Sequence, residues 1–206
     1  IINSGNANAC TGTAGYKNSV KMAELTGKLL GVNKENVFVC STGRIGVPMP
    51  MDIIESGINI AVKSLSENGG KEAANAIMTT DTFPKKIALE FKIGVKKVRI
   101  GGMAKGAGMI APKLVPPHAT MICVITTDAN IAKKYLDKTL FDCVQKSFNK
   151  ITVDGDTSTN DTVLILANGL AGNKKIINSA SNGADLFATA LEYVMSYLAK
   201  QIVLDG

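Results

Sequence analysis

The sequence predicts a mixed α/β fold, in which strands and helices alternate along the chain. Short runs of β-branched and other apolar residues are separated by longer segments whose apolar residues recur at helical spacing, without internal repeats. The 206 residues, 46% hydrophobic and 19% charged, suffice for a substantial core and differ from disordered or fibrous chains. No apolar stretch approaches the roughly 18 residues that a membrane-spanning helix requires. We therefore expect a folded, soluble protein of roughly one to one and a half domains.

The first part of the chain is predicted to contain two helices and a strand. Apolar residues over 16–30 lie close to helical spacing, and Gly31 ends this helix. The β-rich run 37–40 predicts a strand that leads into the glycine-containing loop 41–46. A second helix is expected over 53–65.

A hairpin and a glycine-rich loop are predicted next. Residues 87–93 and 95–100 alternate apolar and polar side chains on either side of Gly94, which is the pattern of paired strands. The glycines of 101–109 then run into the proline-rich stretch 112–117, which lacks periodicity and predicts a loop.

Four further elements complete the prediction, two apolar strands alternating with two helices. They are strands at 121–125 and 162–166 and helices at 131–148 and 185–204. In the last helix, helical spacing predicts a core-facing row that consists of Leu186, Leu191, Val194, Leu198 and Ile202.

The basic residues are interpreted as solvated surface groups. The 23 Lys and Arg exceed the 17 Asp and Glu and give a net charge of +6, but they form scattered pairs such as Lys85-Lys86 and Lys133-Lys134. The chain has no long basic run and no Trp, so nucleic-acid binding is not expected.

The cysteines and the histidine do not match a metal-site pattern. Cys10, Cys40, Cys123 and Cys143 lie at least 20 residues apart, and His118 is the single histidine. We therefore expect no CxxC pair and no structural zinc site. Cys40 and Cys123 lie in apolar runs and are interpreted as core residues of a reducing compartment, and His118 as a loop or surface residue.

One glycine motif invites a cofactor interpretation that its context disfavours. Residues 106–111 match the dinucleotide-binding pattern GxGxxA, and Asp128 lies 20 residues after Gly108. Such a motif opens a helix, whereas Pro112 follows it directly here and a strand comes next. Nicotinamide binding is therefore not expected.

Thr120 lies where the proline-rich loop meets the buried strand, directly after Ala119. A threonine hydroxyl at such a junction can attack the preceding carbonyl, and hydrolysis of the resulting ester frees a new N-terminal threonine. Its α-amine, with a pKa of roughly 8, can activate its own hydroxyl without a histidine. The simpler alternative is that Thr120 is only a β-branched residue that begins a strand.

Six segments form an ordered set of motifs that spans nearly the whole chain. They are NSGNANACTG at 3–12, STGRIG at 41–46, AIMTTDT at 76–82, GGMAKGAGMI at 101–110, HATM at 118–121 and VDGDTSTND at 153–161. This set resembles the signature blocks of the ornithine acetyltransferase family, also called the glutamate N-acetyltransferases of arginine biosynthesis. Several ordered blocks are far more specific than any single motif.

The resemblance implies a self-processing acyltransferase with an N-terminal-nucleophile-like fold, in which sheets are sandwiched between helices. It implies cleavage between Ala119 and Thr120. Residues 1–119 then belong to an α-chain and residues 120–206 begin a β-chain, together in one structural unit. Thr120 is implied to carry acetyl from N-acetylornithine to glutamate in a ping-pong reaction.

The resemblance also implies the remaining site residues and the partners. Thr42 and Gly43 are implied to form the oxyanion hole, and Thr79, Lys105 and Thr120 to bind substrate. This suits their chemistry, because such donors stabilise an alkoxide and an ammonium pairs with a carboxylate. No metal or organic cofactor is implied, although some members accept acetyl-CoA. An α2β2 heterotetramer is implied, located in the cytoplasm or, in a eukaryote, in the mitochondrial matrix, without nucleic-acid or membrane partners.

Two features depart from the family pattern. The stretch 112–119 is longer than the short spacing between proline and Ala-Thr common among bacterial members. A substrate-binding glutamate is expected directly after Gly206, so we expect the given chain to be a piece of a longer protein with further segments at both ends.

Two alternatives to the acetyltransferase remain open at this point. A related self-processing amidase or aminopeptidase would pass the acyl group to water, so that acetate would form without glutamate. A non-catalytic assembly domain of the same fold would never expose Thr120 as a terminus and would form no acetyl-enzyme.

Overall fold

The computed structural model describes residues 1–114 and 121–206. These residues divide into two compact units, Ile1–Thr79 and Thr80–Gly206. Strands and helices occur in both units, and the mixed α/β class predicted from the sequence is confirmed. These units are defined by how densely their residues contact one another, and they do not test the predicted cleavage between Ala119 and Thr120. The boundary between α-chain and β-chain therefore stays a prediction.

The first unit contains a parallel pair of strands and three helices. Its elements are β1 (Ile2–Asn6), α1 (Gly12–Leu30), β2 (Cys40–Arg44), α2 (Met51–Lys63) and α3 (Gly70–Ala76). Both predicted helices are confirmed, but β2 begins three residues later than expected, because its pairing with β1 begins at the pair Ile2 and Cys40. The sequence analysis missed β1. A small apolar core consists of Met22, Met49 and Ile58.

The second unit is built on a four-stranded sheet of order β3-β4-β5-β6. Its elements are β3 (Lys85–Ile93), β4 (Lys96–Lys105), β5 (Ile122–Thr127), α4 (Lys133–Lys146), β6 (Thr162–Ala167) and α5 (Ala184–Asp205). The first three strands pair antiparallel, and β6 pairs parallel with β5. The predicted hairpin, both later strands and both later helices are therefore confirmed.

The glycine cluster is only partly a loop, contrary to the prediction. β4 runs on through Gly101 and Gly102 to Lys105, because both of its edges are paired, with β3 on one side and β5 on the other. At Gly102 a Cβ would lie 3.0 Å from the Leu198 side chain and 3.1 Å from that of Val194, so glycine lets α5 approach the sheet closely. After Gly106 the chain is irregular as far as Leu114, and no helix follows the GxGxxA motif within these described residues.

The long helix α5 forms the main core together with the sheet. It packs against β3 and β4, while α4 packs against α5. Leu191, Val194, Leu198 and Ile202 are fully buried, as predicted. Leu186 is 43% exposed, contrary to the prediction, because it lies seven residues before the exposed Tyr193, on the outer face of the helix.

No helix within residues 1–114 and 121–206 combines the length and the apolarity that crossing a membrane requires.

Candidate active site

The end of β2 carries the two residues predicted to form an oxyanion hole. Thr42 is buried, and Gly43 follows it with a φ of +129°, a value that favours glycine. Gly43 pairs with Gly5 of β1, and a Cβ at Gly43 would overlap the backbone of Gly5 and Asn6. The close approach of the two strands therefore requires glycine at this position.

Asn6 fixes the chain that follows these two residues. Its buried side-chain amide donates to the carbonyls of Val47 and Pro48, at 3.1 Å each. Asn6 is itself paired with β2 around Thr42. The strand end that carries Thr42 and Gly43 is therefore held by both backbone and side-chain hydrogen bonds.

Thr79 is the last residue of the first unit and is exposed. It follows α3, whose end is anchored by the buried Ile77 and by the Ser4 hydroxyl, which donates to the Ala76 carbonyl at 2.6 Å. Its implied role in substrate binding stays a prediction.

Five charged side chains form a group in the second unit that we call the buried charge cluster. They are supplied by the residues before β3, by β3 and β4, by the residue before β6 and by the end of α5. The members are Asp81, Lys85, Lys105, Asp161 and Asp205. The cluster brings Lys105, a predicted site residue, together with four residues to which the sequence analysis gave no role.

Lys85 and Asp81 lie at the centre of this cluster. The Lys85 ammonium donates to Asp81 at 2.8 Å and to Asp205 at 2.5 Å, and all three side chains are fully buried. Asp81 also accepts a hydrogen bond from the Gly106 N–H at 2.6 Å, and its other oxygen lies 3.8 Å from the Lys105 Nζ. One carboxylate thus links both lysines to the start of the glycine-rich loop.

Burial and neighbouring charges shift the pKa values within the cluster. Burial lowers the pKa of Lys105, and Lys85 adds to this effect, while Asp81 and Asp161 oppose it. Burial alone would raise the pKa of Asp205, but hydrogen bonds from Lys85 and Thr82 outweigh it and leave that pKa below its ordinary value. The cluster therefore holds a carboxylate firmly ionised and a lysine whose ionisation depends on its neighbours.

The burial of Lys85 corrects the prediction that the Lys85-Lys86 pair is solvated. Lys85 is 1% exposed, whereas Lys86 is exposed as expected. The two side chains point to opposite faces of β3, because successive residues of a strand alternate. Two carboxylates compensate the buried ammonium, which explains how the chain tolerates a charge inside.

Asp154 anchors the far end of the glycine-rich loop. Its carboxylate accepts hydrogen bonds from the N–H groups of Met109 at 2.5 Å and of Ile110 at 3.0 Å. Met109 has a φ of +59°, uncommon for a residue other than glycine. The hydrogen bond from Met109 lowers the pKa of Asp154 most, and those from Asp156 and Ile110 add to it. The loop is therefore fixed by an aspartate at each end.

The predicted cleavage site lies outside the described residues. His118, Ala119 and Thr120 belong to the segment 115–120, so their predicted roles stay predictions. The next described residue, Met121, is fully buried, and its N–H donates to Asp161 at 2.5 Å.

Three of the four cysteines are buried, which disfavours them as nucleophiles. Cys40 and Cys123 are buried, as predicted, and all four thiols are free. Burial raises the pKa of Cys143 to about 11 and also raises those of Cys40 and Cys123. Cys10 is exposed.

Sequence reasoning missed four members of the cluster, although a local signal existed for some. Asp161 stands directly before an apolar strand, and Asp81 lies among small polar residues beside an apolar stretch. Lys85 sits on the inward side of the alternating pattern of β3. Asp205 gave no such signal, because its partner Lys85 is 120 residues away in the chain.

These observations define a mixed α/β protein in which buried acids and lysines surround the start of a glycine-rich loop. The whole chain, residues 1–206, matches the model of the ArgJ family. The chain belongs to this family.

Curated relatives are similar over the full length of the chain. It is 52% identical over 206 residues to the arginine biosynthesis bifunctional protein ArgJ of Symbiobacterium thermophilum, and 51% identical over 207 residues to the glutamate N-acetyltransferase of Methanocaldococcus jannaschii. In both comparisons all of the chain is aligned to 50% of the relative. The chain therefore spans about half the length of the curated relatives it matches.

Two crystal structures are similar to this chain. An ArgJ protein from Bacillus halodurans has 38% identity and a TM-score of 0.50, over 54% of this chain and 59% of that one. The ornithine acetyltransferase of Mycobacterium tuberculosis, complexed with ornithine, has 44% identity and a TM-score of 0.52, over 54% of this chain and 60% of that one. Both similarities support the mixed α/β fold with sheets flanked by helices.

Proposed function

We propose that the protein containing this chain is an acetyltransferase of arginine biosynthesis, which moves acetyl from N-acetylornithine to glutamate. The observation that carries this proposal is the match to the ArgJ family over all 206 residues. It is supported by a relative named glutamate N-acetyltransferase, to which the chain is 51% identical. The ornithine held by one similar structure supports an amino acid of this class as substrate.

The proposed chemistry begins with cleavage between Ala119 and Thr120, which gives Thr120 a free α-amine. With a pKa of about 8, this amine takes the proton of its own hydroxyl while Oγ attacks the acetyl carbon. The C–N bond of N-acetylornithine breaks, ornithine leaves with the proton on its amino group, and acetyl remains on Thr120 as an ester. The amino group of glutamate then attacks the ester, N-acetylglutamate leaves, and the Thr120 hydroxyl regains its proton.

Thr42 and Gly43 are the proposed donors to the oxyanion of each tetrahedral intermediate. Support comes from the anchored strand end, because donors that are already in place need no rearrangement when charge develops. One such donor contributes about 2.7–4 kcal/mol to transition-state stabilisation.

Lys105 and Thr79 are the proposed substrate-binding residues, with Lys105 pairing to a carboxylate. Lys105 is 1% exposed, and an ammonium in such surroundings attracts an anion more strongly than one in water. We further propose that the cleaved chains assemble as α2β2 in the cytoplasm, or in the mitochondrial matrix of a eukaryote, and need no metal or organic cofactor.

Denaturing intact-mass measurement of the full-length protein, beside Thr120→Ala, tests the proposal. We expect the wild type to give two chains that separate between Ala119 and Thr120, and the variant to stay whole, since it lacks the attacking hydroxyl. N-Acetylornithine should then add the mass of one acetyl group to the chain that begins at Thr120. An uncut, folded wild type contradicts the proposal and favours a non-catalytic assembly domain.

The acceptor is tested with the same preparation. Transfer predicts that N-acetylglutamate forms only when glutamate is present, and that little free acetate appears without it. Rapid acetate release without glutamate would indicate an amidase that uses water.

A further inference from the structure

Asp81 is a fully buried carboxylate whose contacts among the described residues include Lys85, Lys105 and Gly106. One oxygen accepts from Lys85 Nζ at 2.8 Å and from the Gly106 N–H at 2.6 Å. The other oxygen lies 3.8 Å from Lys105 Nζ. Because Lys105 and Gly106 are consecutive, Asp81 holds both the ammonium and the backbone at the point where β4 ends.

Lys85 fixes the position of Asp81 from the opposite side. Its Nζ contacts Asp81, Asp205 at 2.5 Å and the Phe83 carbonyl at 3.4 Å, so three acceptors match its three N–H groups. Asp205 is in turn held by the backbone N–H of Thr82 at about 3 Å. Lys85 therefore ties Asp81 to the end of α5.

The charge of Asp81 also governs the ionisation of Lys105. Among the described residues, the charged groups that face Lys105 are Asp81 before β3, Lys85 on β3 and Asp161 before β6. Burial lowers the pKa of Lys105, and Asp81 is the strongest opposing influence. Without the Asp81 charge, Lys105 would lose its proton at a lower pH.

We propose that Asp81, oriented by Lys85, is a positioning residue that fixes the Lys105 ammonium, in part by anchoring the neighbouring Gly106 N–H, for binding a substrate carboxylate. The proposal rests on the proposed function, because that function gives Lys105 its substrate. Asp81 itself acts through Lys105 and contacts no substrate.

The test is steady-state kinetics of the full-length protein carrying Asp81→Asn, with complete cleavage verified by intact mass. The amide keeps the shape of the side chain and removes its charge. We expect KM for N-acetylornithine to rise about tenfold or more, because a charge-assisted contact is weakened, with a smaller change in kcat. The alkaline limb of kcat/KM should move to lower pH, because Lys105 loses its proton at a lower pH when the Asp81 charge is absent. A purely structural role would not move this limb.

Two control variants separate positioning from a general loss of buried charge. Asp205→Asn removes an equally buried carboxylate that contacts Lys85 but is not among the charged groups facing Lys105. It should lower the melting temperature comparably, with a clearly smaller effect on KM and on the alkaline limb. Asp142→Asn breaks the exposed pair with Lys138 and should leave the kinetics unchanged. Equal kinetic effects of Asp81→Asn and Asp205→Asn would overturn the proposal.

Asp81→Glu keeps the test decisive if Asp81→Asn does not fold. It retains the charge but moves the carboxylate by one methylene, so we expect KM to rise while the alkaline limb stays near that of the wild type. An unchanged KM would overturn the positioning role. If the wild type transfers no acetyl group, the proposed function fails; if the wild type is active and the Asp81 variants match it, only the positioning role fails.

Discussion

At Lys85 a single ammonium joins segments that are 120 residues apart in the chain. Its removal would leave Asp81 and Asp205 as buried carboxylates that lack their shared counter-charge. Such an uncompensated charge costs more than a lost surface ion pair, because burial deprives it of solvation by water.

We therefore predict that Lys85→Met lowers the free energy of unfolding by about 3–5 kcal/mol. Chemical denaturation of the full-length protein measures this change. Lys146→Met is the matched control, since it breaks the exposed pair with Glu192, which water screens, and should lower the free energy of unfolding far less. Similar losses for the two variants would contradict the compensated burial of Lys85.

The packing of helix α5 against strand β4 depends on a glycine, which has no side chain. Gly101 and Gly102 are adjacent, but they face opposite sides of the sheet, and Gly102 lies beneath Leu198 and Val194 of α5. A methyl group at Gly102 would force these two core side chains to shift, whereas at Gly101 the nearest atom is 3.8 Å away.

Alanine should therefore destabilise the protein at Gly102 but not at Gly101. Gly102→Ala is expected to destabilise the protein by about 1–3 kcal/mol through overpacking. Gly101→Ala is expected to be neutral or to stabilise by up to about 1 kcal/mol, because it restricts the unfolded chain. Denaturation midpoints of the two variants, measured in parallel, check the signs. A loss at both positions would mean that strand geometry, not contact with α5, requires the glycines.

The sequence predicted elements whose signals are local and missed those that depend on distant partners. The hairpin around Gly94 and four of the five residues predicted for the buried row of α5 follow from the hydrophobic period alone. By contrast, β1 is too short and polar to be recognised without its partner β2. The extension of β4 through the glycines needed β5 as a second partner.

The residues of the candidate site likewise fall into those that the sequence indicates locally and those that only the folded structure brings together. Motif resemblance indicated Thr42, Gly43 and Lys105, because those residues lie within contiguous blocks. Resemblance gave no role to Lys85 or Asp205, whose importance exists only after folding brings them together.

At the scale of the whole molecule, the carboxylates with lowered pKa values predict how stability responds to acid. Asp154 and Asp205 both have folded-state pKa values below the unfolded value of about 3.9. Between these values the unfolded chain binds more protons than the folded one, so stability falls as pH decreases. Each group contributes its full stabilisation above the unfolded pKa and loses it as pH falls through the folded pKa. The net positive charge of the chain, +6 near neutrality, rises further in acid and adds self-repulsion.

The variant Asp154→Asn/Asp205→Asn should therefore be less stable than the wild type at pH 7 and should lose less further stability as pH falls. Its two amides do not titrate, so the difference in unfolding free energy between the two proteins should shrink from about pH 5 to about pH 2. Urea denaturation of the full-length proteins at several pH values measures this difference. Asp142→Asn, which removes an exposed carboxylate paired with Lys138, serves as the control and should follow the wild type closely. Parallel curves for the double variant and the wild type would show that neither carboxylate carries the acid response, which would then have to come from other groups or from overall charge repulsion.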